Sequence, residues 1–139
     1  MSEEKMLNAY EQSLVVANAA SSKKAEDTII LDVGDIIGIT ETFVITTGDN
    51  VRHVRAICDE VEFAMKVEAD REPRAIEGLK DATWVLLDYG DLVVHVFGRE
   101  TREYYDLERL WSDAPRVAWT EDVSAEDMTA EDEKALIVG

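Results

Sequence analysis

Residues 84–98, WVLLDYGDLVVHVFG, decide the fold of this chain. Two apolar runs, residues 84–89 and 92–97, flank a short turn that contains Gly90. Runs of this length, rich in Val and Leu and separated by a glycine turn, predict the two antiparallel strands of one hairpin. Because side chains alternate between the two faces of a strand, His95 in the second run is expected on the same face as Val93 and Phe97.

Hydrophobic periodicity on either side of the hairpin predicts the remaining elements. The predicted helices are residues 3–20, 51–67 and 101–111, and the predicted strands are residues 28–33, 42–47, 74–76, 84–89 and 92–97. Gly34 and Asp35 are predicted to form a turn, and the IIGIT that follows them is ambiguous. The order α–β–β–α–β–β–β–α predicts an α/β fold, with a mixed sheet of about five strands and helices packed on it.

The composition changes near residue 113. Residues 1–113 are expected to form one domain, and residues 114–139 an acidic C-terminal extension with weak order, because the segment SAEDMTAEDEK is acidic, small and almost free of aromatic residues. Trp119 is the unusual residue in this extension, and we expect it to be a local anchor onto the domain rather than a binding hot spot.

The net charge of −17 constrains the class of partner. Residues 26–111 carry twenty acids against nine bases, so the folded part is acidic in its own right. Nucleic-acid binding depends on Lys and Arg that neutralise phosphates, and this charge opposes it, so we expect little or no direct contact with nucleic acid. A basic protein partner fits the chain better, although an acidic surface also serves solubility alone.

Other global features indicate a soluble, cytoplasmic protein. No apolar run is long enough to span a membrane, and the start MSEEKM lacks the basic and apolar regions of a secretory signal. The single cysteine, Cys58, lies on the apolar stripe of a predicted helix, where it is expected to be a small core residue. One cysteine excludes an intrachain disulfide framework.

Candidate catalytic residues are few. Asp88 and Asp91 flank the hairpin turn, and Gly48 and Asp49 lead from a strand into a helix, which is the broad plan of a nucleotidyltransferase with Mg²⁺ held by two acids. However, two acids on one strand face must be an even number of positions apart, and Asp88 and Asp91 are three apart across a turn. Acids at a tight turn commonly serve the turn itself.

The two histidines, His53 and His95, have no cysteine or second histidine at ligand spacing. We therefore expect His95 to be a core or interface residue with one satisfied hydrogen bond, rather than a general base or a metal ligand. The residues predict no catalytic group, no metal ion and no cofactor.

Four segments together resemble the ribosomal silencing factors, also called the iojap-like family. They are TFVITTGDNVRHVRAI at residues 42–57, IEG at 76–78, WVLLDYGDLVVHVFG at 84–98, and Arg102 followed by YDLERLW at 105–111. The resemblance covers roughly residues 5–113. It implies a nucleotidyltransferase-like fold without the catalytic acids, and a protein that binds a ribosomal protein on the intersubunit face of the large subunit. Members block joining of the small subunit and so repress translation, and free members can be homodimers.

The resemblance also implies a partner-binding surface on and around the hairpin. Its residues would be Trp84, Asp88, Tyr89, Gly90, Asp91 and His95, with Arg102, Tyr105, Leu107, Glu108 and Trp111 on or beneath the surface. Glu41 and Thr42 depart from the family pattern, which usually has an Asp followed by a bulky residue. The extension after Ala114 is longer than usual.

The leading hypothesis is thus a non-enzymatic factor that keeps the ribosomal subunits apart by steric exclusion. A nucleotidyltransferase that uses Mg²⁺ with Asp88 and Asp91, and a dimeric adaptor for another basic protein, are the alternatives. Tyr89 is expected to lie at the edge of the turn, where truncation to Ala would weaken partner binding and leave the melting temperature nearly unchanged.

Overall fold

The computed structural model describes residues 7–106, 109 and 112–120. The helices are α1 (Ala9–Ser22), α2 (Gly34–Ile37), α3 (Val51–Ala69) and α4 (Arg99–Tyr105). The strands are β1 (Glu26–Asp32), β2 (Thr42–Gly48), β3 (Ala75–Glu77), β4 (Trp84–Asp88) and β5 (Leu92–Gly98). They form one five-stranded sheet in the order β1-β2-β5-β4-β3, in which β2 and β5 are parallel and the other neighbours are antiparallel.

The two long helices begin at side-chain caps. Asn8 accepts a hydrogen bond from the Glu11 backbone N–H at 2.8 Å, and the Glu11 carboxylate accepts one from the Asn8 N–H at 3.0 Å, which is a capping box. Asn50 caps α3 by accepting from the His53 N–H at 2.9 Å. Helix α3 ends at Ala69, and the left-handed backbone of Asp70, the next residue, stops the helix.

The sheet has an apolar cluster on each face. Helices α1 and α3 cover the first face, and the residues buried there include Val16, Ile57, Met65, Val85 and Leu87. The cluster on the second face is smaller, and its buried residues are Leu31, Val33, Phe43, Ile45, Val93, Phe97 and Ala114, with Trp84 and Leu86 partly buried against them. The central strands β2 and β5 are buried on both faces, as expected for neighbouring parallel strands.

The predicted α/β fold with a mixed five-stranded sheet is confirmed. The predicted order of elements lacks α2, a four-residue helix that lies where the sequence predicts a turn and an ambiguous segment. Helix α4 starts two residues before the predicted start and is interrupted after Tyr105, where Asp106 adopts a left-handed backbone, although Arg109 is again helical. The rest of that predicted helix includes Leu107, Glu108 and Trp111, which lie outside the described residues.

The first residues of the predicted extension run along the outer edge of β1. The Asp32 N–H donates to the Pro115 carbonyl at 2.9 Å, and the Val117 N–H donates to the Ile30 carbonyl at 2.9 Å. The Trp119 indole N–H donates to the carbonyl of Thr28 at 3.1 Å, and its ring packs against the first-face cluster. The prediction that Trp119 anchors its segment to the domain is confirmed.

In the part of the chain that the structure describes, no helix combines the length and the apolar character needed to cross a membrane.

Candidate functional site

The candidate site lies at the end of the β4–β5 hairpin and on the second face of the sheet beside it. We call it the hairpin surface and define it by Trp84, Asp88, Gly90, Asp91 and Tyr105. The first four are half-buried, and Tyr105 is exposed. Alternation along β4 places Trp84 and Asp88 on the second face, which in the described chain carries the short helices α2 and α4 and not a pair of long helices.

Aromatic contacts build the floor of this surface. The Trp84 ring stacks on Phe97 of β5 with a centroid separation of 4.8 Å. Helix α4 holds the Tyr105 ring with its centroid 4.9 Å from that of Trp84. The Trp84 indole N–H donates to Nδ1 of His95 at 3.1 Å, which fixes the orientation of both rings. Trp84 is thus a rigid, half-buried aromatic group rather than a freely moving one.

His95 is buried beneath Trp84 and against Phe43, whose ring centroid lies 4.6 Å from the imidazole. Burial lowers the pKa of His95 to about 4. Because Nδ1 accepts the indole proton, Nε2 carries the proton of the neutral ring, and this buried N–H has no hydrogen-bond partner within the described residues. The predicted core histidine with one satisfied hydrogen bond is therefore confirmed.

The two hairpin acids are engaged within the protein. Asp88 Oδ1 accepts a hydrogen bond from the Gly90 N–H at 2.7 Å and lies 3.4 Å from Nε of Arg74. Asp91 Oδ1 accepts from Nη1 of Arg71 at 2.8 Å. Each acid has its own arginine and its own side of the turn, so the pair does not converge on a common point. This arrangement agrees with the expectation that these acids serve the turn.

Tyr89 is buried, with 2% of its surface exposed, and its ring packs in the first-face cluster. This contradicts the expectation that Tyr89 contributes little to the core. Arg71 covers the ring with its guanidinium carbon 5.7 Å from the centroid, and it also donates to the Tyr89 carbonyl and to Oε1 of Gln12. Burial raises the pKa of Tyr89, and its hydroxyl has no hydrogen-bond partner among the residues that the structure describes.

Arg102 lies beneath the surface rather than on it. Its side chain is buried, and Nη1 donates to Thr47 Oγ1 at 2.7 Å and to the carbonyl of Asp27, where β1 has an irregular register. These contacts attach α4 to β1 and β2. Arg102 therefore positions the helix that carries Tyr105.

The turn between β2 and α3 contains the other histidine. His53 Nδ1 accepts from the Asp49 N–H at 2.8 Å, and its Nε2 donates to the Lys23 carbonyl at 2.7 Å, so both ring nitrogens are used in joining α1 to this turn. Arg99 bonds to the carboxylates of Asp49 and Glu26, and it holds the pKa of Asp49 below its usual range. These contacts connect elements of the fold.

The described residues contain no group of three or more His, Cys, Asp or Glu side chains suited to a metal ion. Cys58 is fully buried on the first face, as predicted, and burial raises the pKa of its thiol to about 12. It is therefore protonated and enclosed at neutral pH.

The sequence did not indicate the roles of Arg71 and Arg74. Both lie in the polar link after α3, and their partners in the hairpin turn are 14 to 20 positions away, so no local pattern pairs them. Leu86 also belongs beside the hairpin surface, because it lies between Trp84 and Asp88 on the same side of β4 and is half-buried. Leu86 lies two residues from Trp84 and two from Asp88, and this spacing is the sequence signal that could have identified it.

Comparisons with known proteins give matches over most of the chain. A family model described as "Ribosomal silencing factor during starvation" matches residues 6–136. A protein of Halalkalibacterium halodurans named ribosomal silencing factor is 42% identical over 103 residues, which cover 74% of this chain and 87% of that protein. A protein of the same name from Bacillus subtilis is 41% identical over 104 residues, covering 73% and 85%.

A solved structure has the same fold. The crystal structure of a protein from Chromobacterium violaceum superposes with a TM-score of 0.73 and 31% sequence identity, and the match covers 91% of this chain and 99% of that one.

Proposed function

Since the chain belongs to the ribosomal silencing factor family, we propose that it represses translation by binding the large ribosomal subunit and blocking the small subunit from joining. The relatives carry the name of a regulatory protein rather than of an enzyme, and the chain is a regulator of translation in the same sense. The proposed role is a cytoplasmic one. The partner on the large subunit is proposed to be a basic ribosomal protein on the intersubunit face.

The excess of acids over the folded part of the chain supports a basic protein partner. Residues 26–111 carry twenty acids and nine bases, so the domain attracts a positively charged surface from a distance. Complementary charge of this kind speeds encounter and fixes orientation. The same charge repels exposed ribosomal RNA, which directs the protein to a protein component of the subunit.

The hairpin surface is the proposed contact. Its half-buried and exposed members offer an aromatic centre, formed by Trp84 and Tyr105, and the same surface includes the arginine-paired carboxylates of Asp88 and Asp91. Aromatic residues held rigid at the centre of a patch are typical of binding hot spots. Tyr89, His95 and Arg102 support this surface from within the fold. Leu107, Glu108 and Trp111 stay predicted contacts outside the described residues.

Sedimentation of purified subunits tests the proposal. The protein is mixed with large subunits, small subunits are added, and the yield of joined ribosomes is measured on a gradient. We expect the protein to comigrate with the large subunit and to lower that yield in proportion to its occupancy. A protein that neither comigrates nor lowers the yield refutes the proposal, and recovery of only a non-ribosomal basic partner supports the adaptor instead.

A pair of tyrosines gives a matched test of the contact. Tyr105 is 52% exposed on the hairpin surface, and Tyr10 is 48% exposed on α1, which covers the first face. Truncation of a hot-spot tyrosine costs about 2 kcal/mol or more, which is about thirtyfold in affinity. We expect Tyr105→Ala to weaken binding to the large subunit and Tyr10→Ala to leave it unchanged. Equal binding by both variants contradicts the placement of the contact.

A further inference from the structure

The loop between α2 and β2, residues 38–41, carries the most exposed large apolar side chain of the described chain. Ile39 is 85% exposed, and Ile36 on α2 is also exposed, whereas Ile37 between them packs against the second-face cluster. One exposed isoleucine is common on protein surfaces. What distinguishes Ile39 is how firmly its loop is held and what lies next to it.

Backbone hydrogen bonds fix the shape of this loop. Helix α2 ends at Ile37 and is followed by Gly38, whose φ of +81° is unfavourable for other residues and whose N–H donates to the Gly34 carbonyl at 3.0 Å. The Val33 N–H donates to the Glu41 carbonyl at 2.9 Å and closes the base of the loop. Ile39 is therefore presented in a defined position, and it loses little conformational entropy if a partner covers it.

The same loop is attached to the turn of the hairpin. The Thr40 hydroxyl donates to the Gly90 carbonyl at 3.1 Å. The backbone N–H groups of Glu41 and Thr42 both donate to the Asp91 carbonyl, at 2.9 and 3.1 Å. These three bonds link residues about fifty positions apart and make the loop and the turn one continuous surface.

A recess lies between the loop and the turn. Its lining includes Asp35, Ile39, Glu41, Arg74 and Asp91. Arg71 already pairs with Asp91, so Asp35 and Glu41 are the acids that favour a positively charged group near this rim. An apolar side chain beside an acidic rim matches a basic protein surface that has an apolar depression.

We propose that the α2–β2 loop is the second half of the docking surface, with Ile39 as an apolar anchor that enters a depression on a basic protein partner. This inference rests on the proposed function and extends its contact beyond the hairpin surface. It also gives a role to the segment in which Glu41 and Thr42 depart from the family pattern.

Substitution of two exposed apolar residues tests this proposal. Ile39→Ser removes the anchor, and Phe63→Ser is the control, because Phe63 is 64% exposed on α3 away from the loop. Binding of the full chain to purified large subunits is measured for both variants and for the wild type, together with the melting temperature. Burying an isoleucine side chain favours binding enough that we expect Ile39→Ser to weaken it about tenfold or more. Phe63→Ser is expected to bind as the wild type does.

The outcomes separate this inference from the proposed function. If the wild type binds and Ile39→Ser binds with the same affinity, the role of Ile39 as an anchor is overturned and the silencing role stays intact. Absence of wild-type binding overturns both. Equal weakening by Phe63→Ser, or a clear fall in the melting temperature of Ile39→Ser, also overturns the anchor, because the effect then comes from general surface change or from lost packing.

Discussion

The buried imidazole of His95 predicts a specific dependence of stability on pH. Phe43, Trp84 and Phe97 surround the ring, and burial lowers its pKa to about 4 from an ordinary value of 6.5. In the unfolded chain the same histidine takes up its proton near pH 6.5. Between these two values the unfolded state binds more protons than the folded state, so the stability that His95 contributes is complete above pH 6.5 and is lost as the pH falls toward 4.

The size of the effect follows from the two pKa values. The full difference corresponds to about 3 kcal/mol, of which about 2 kcal/mol is lost by pH 5. Measurements are best stopped at pH 5. The sequence pI is about 4.3, so the protein approaches zero net charge as the pH falls from 5 toward that value. Carboxylates also titrate in this range, so the informative quantity is the difference between the wild type and a variant that lacks the imidazole.

His95→Phe provides that variant, because it keeps an aromatic ring of similar size and cannot be protonated. We expect the free energy of unfolding of the wild type, relative to His95→Phe, to fall by about 2 kcal/mol from pH 7 to pH 5. Urea titrations at steps of half a pH unit measure this difference. His95→Gln, which also lacks the imidazole, should show the same pH dependence as His95→Phe. Parallel curves for the wild type and both variants would mean that His95 is hydrated and readily protonated, which refutes the burial argument.

Substitutions at three further positions test the core and the edge of the sheet. Tyr89→Ala should lower the free energy of unfolding by about 3–5 kcal/mol, whereas Tyr89→Phe removes an unpartnered buried hydroxyl and should be neutral or stabilising in the same urea titration. Gly78→Ala should lower the melting temperature sharply, because Gly78 has a φ of +83° and a Cβ there would lie 2.1 Å from the Trp84 carbonyl oxygen; a normal melting temperature would contradict this packing. Trp119→Ala should speed hydrogen exchange at the amide of Val117 beside β1, and unchanged exchange would show that Trp119 does not hold its segment.

Most of the fold could be predicted from the sequence because its main elements carry strong periodic signals. The apolar runs of β2, β4 and β5 and the helical stripe of α3 are long enough to identify each element. Helix α2 could not be found this way. It has four residues, too few for a period, and it ends just before the left-handed backbone of Gly38.

The error at Tyr89 has a different cause. Tyr89 follows Val85 and Leu87 at two-residue intervals, so alternation along the strand assigns it to the buried first face. Its position next to Gly90 suggested a turn edge and outweighed that signal. The alternation was the better guide, because Arg71 closes over the ring and completes its burial from a distant part of the chain.

The two arginines that pair with the hairpin turn change how the acidity of this protein is expected to act. Asp88 and Asp91 are already paired with Arg74 and Arg71, so their charges are partly neutralised inside the fold. A basic partner therefore gains little from direct ion pairs with these two acids, since each new pair replaces an existing one. The remaining acids of the domain act over longer distances and mainly affect the rate of encounter. The strength of the final contact then depends on rigid apolar groups, Trp84 and Tyr105 on the hairpin surface and Ile39 on the adjoining loop, whose positions are set before the partner arrives.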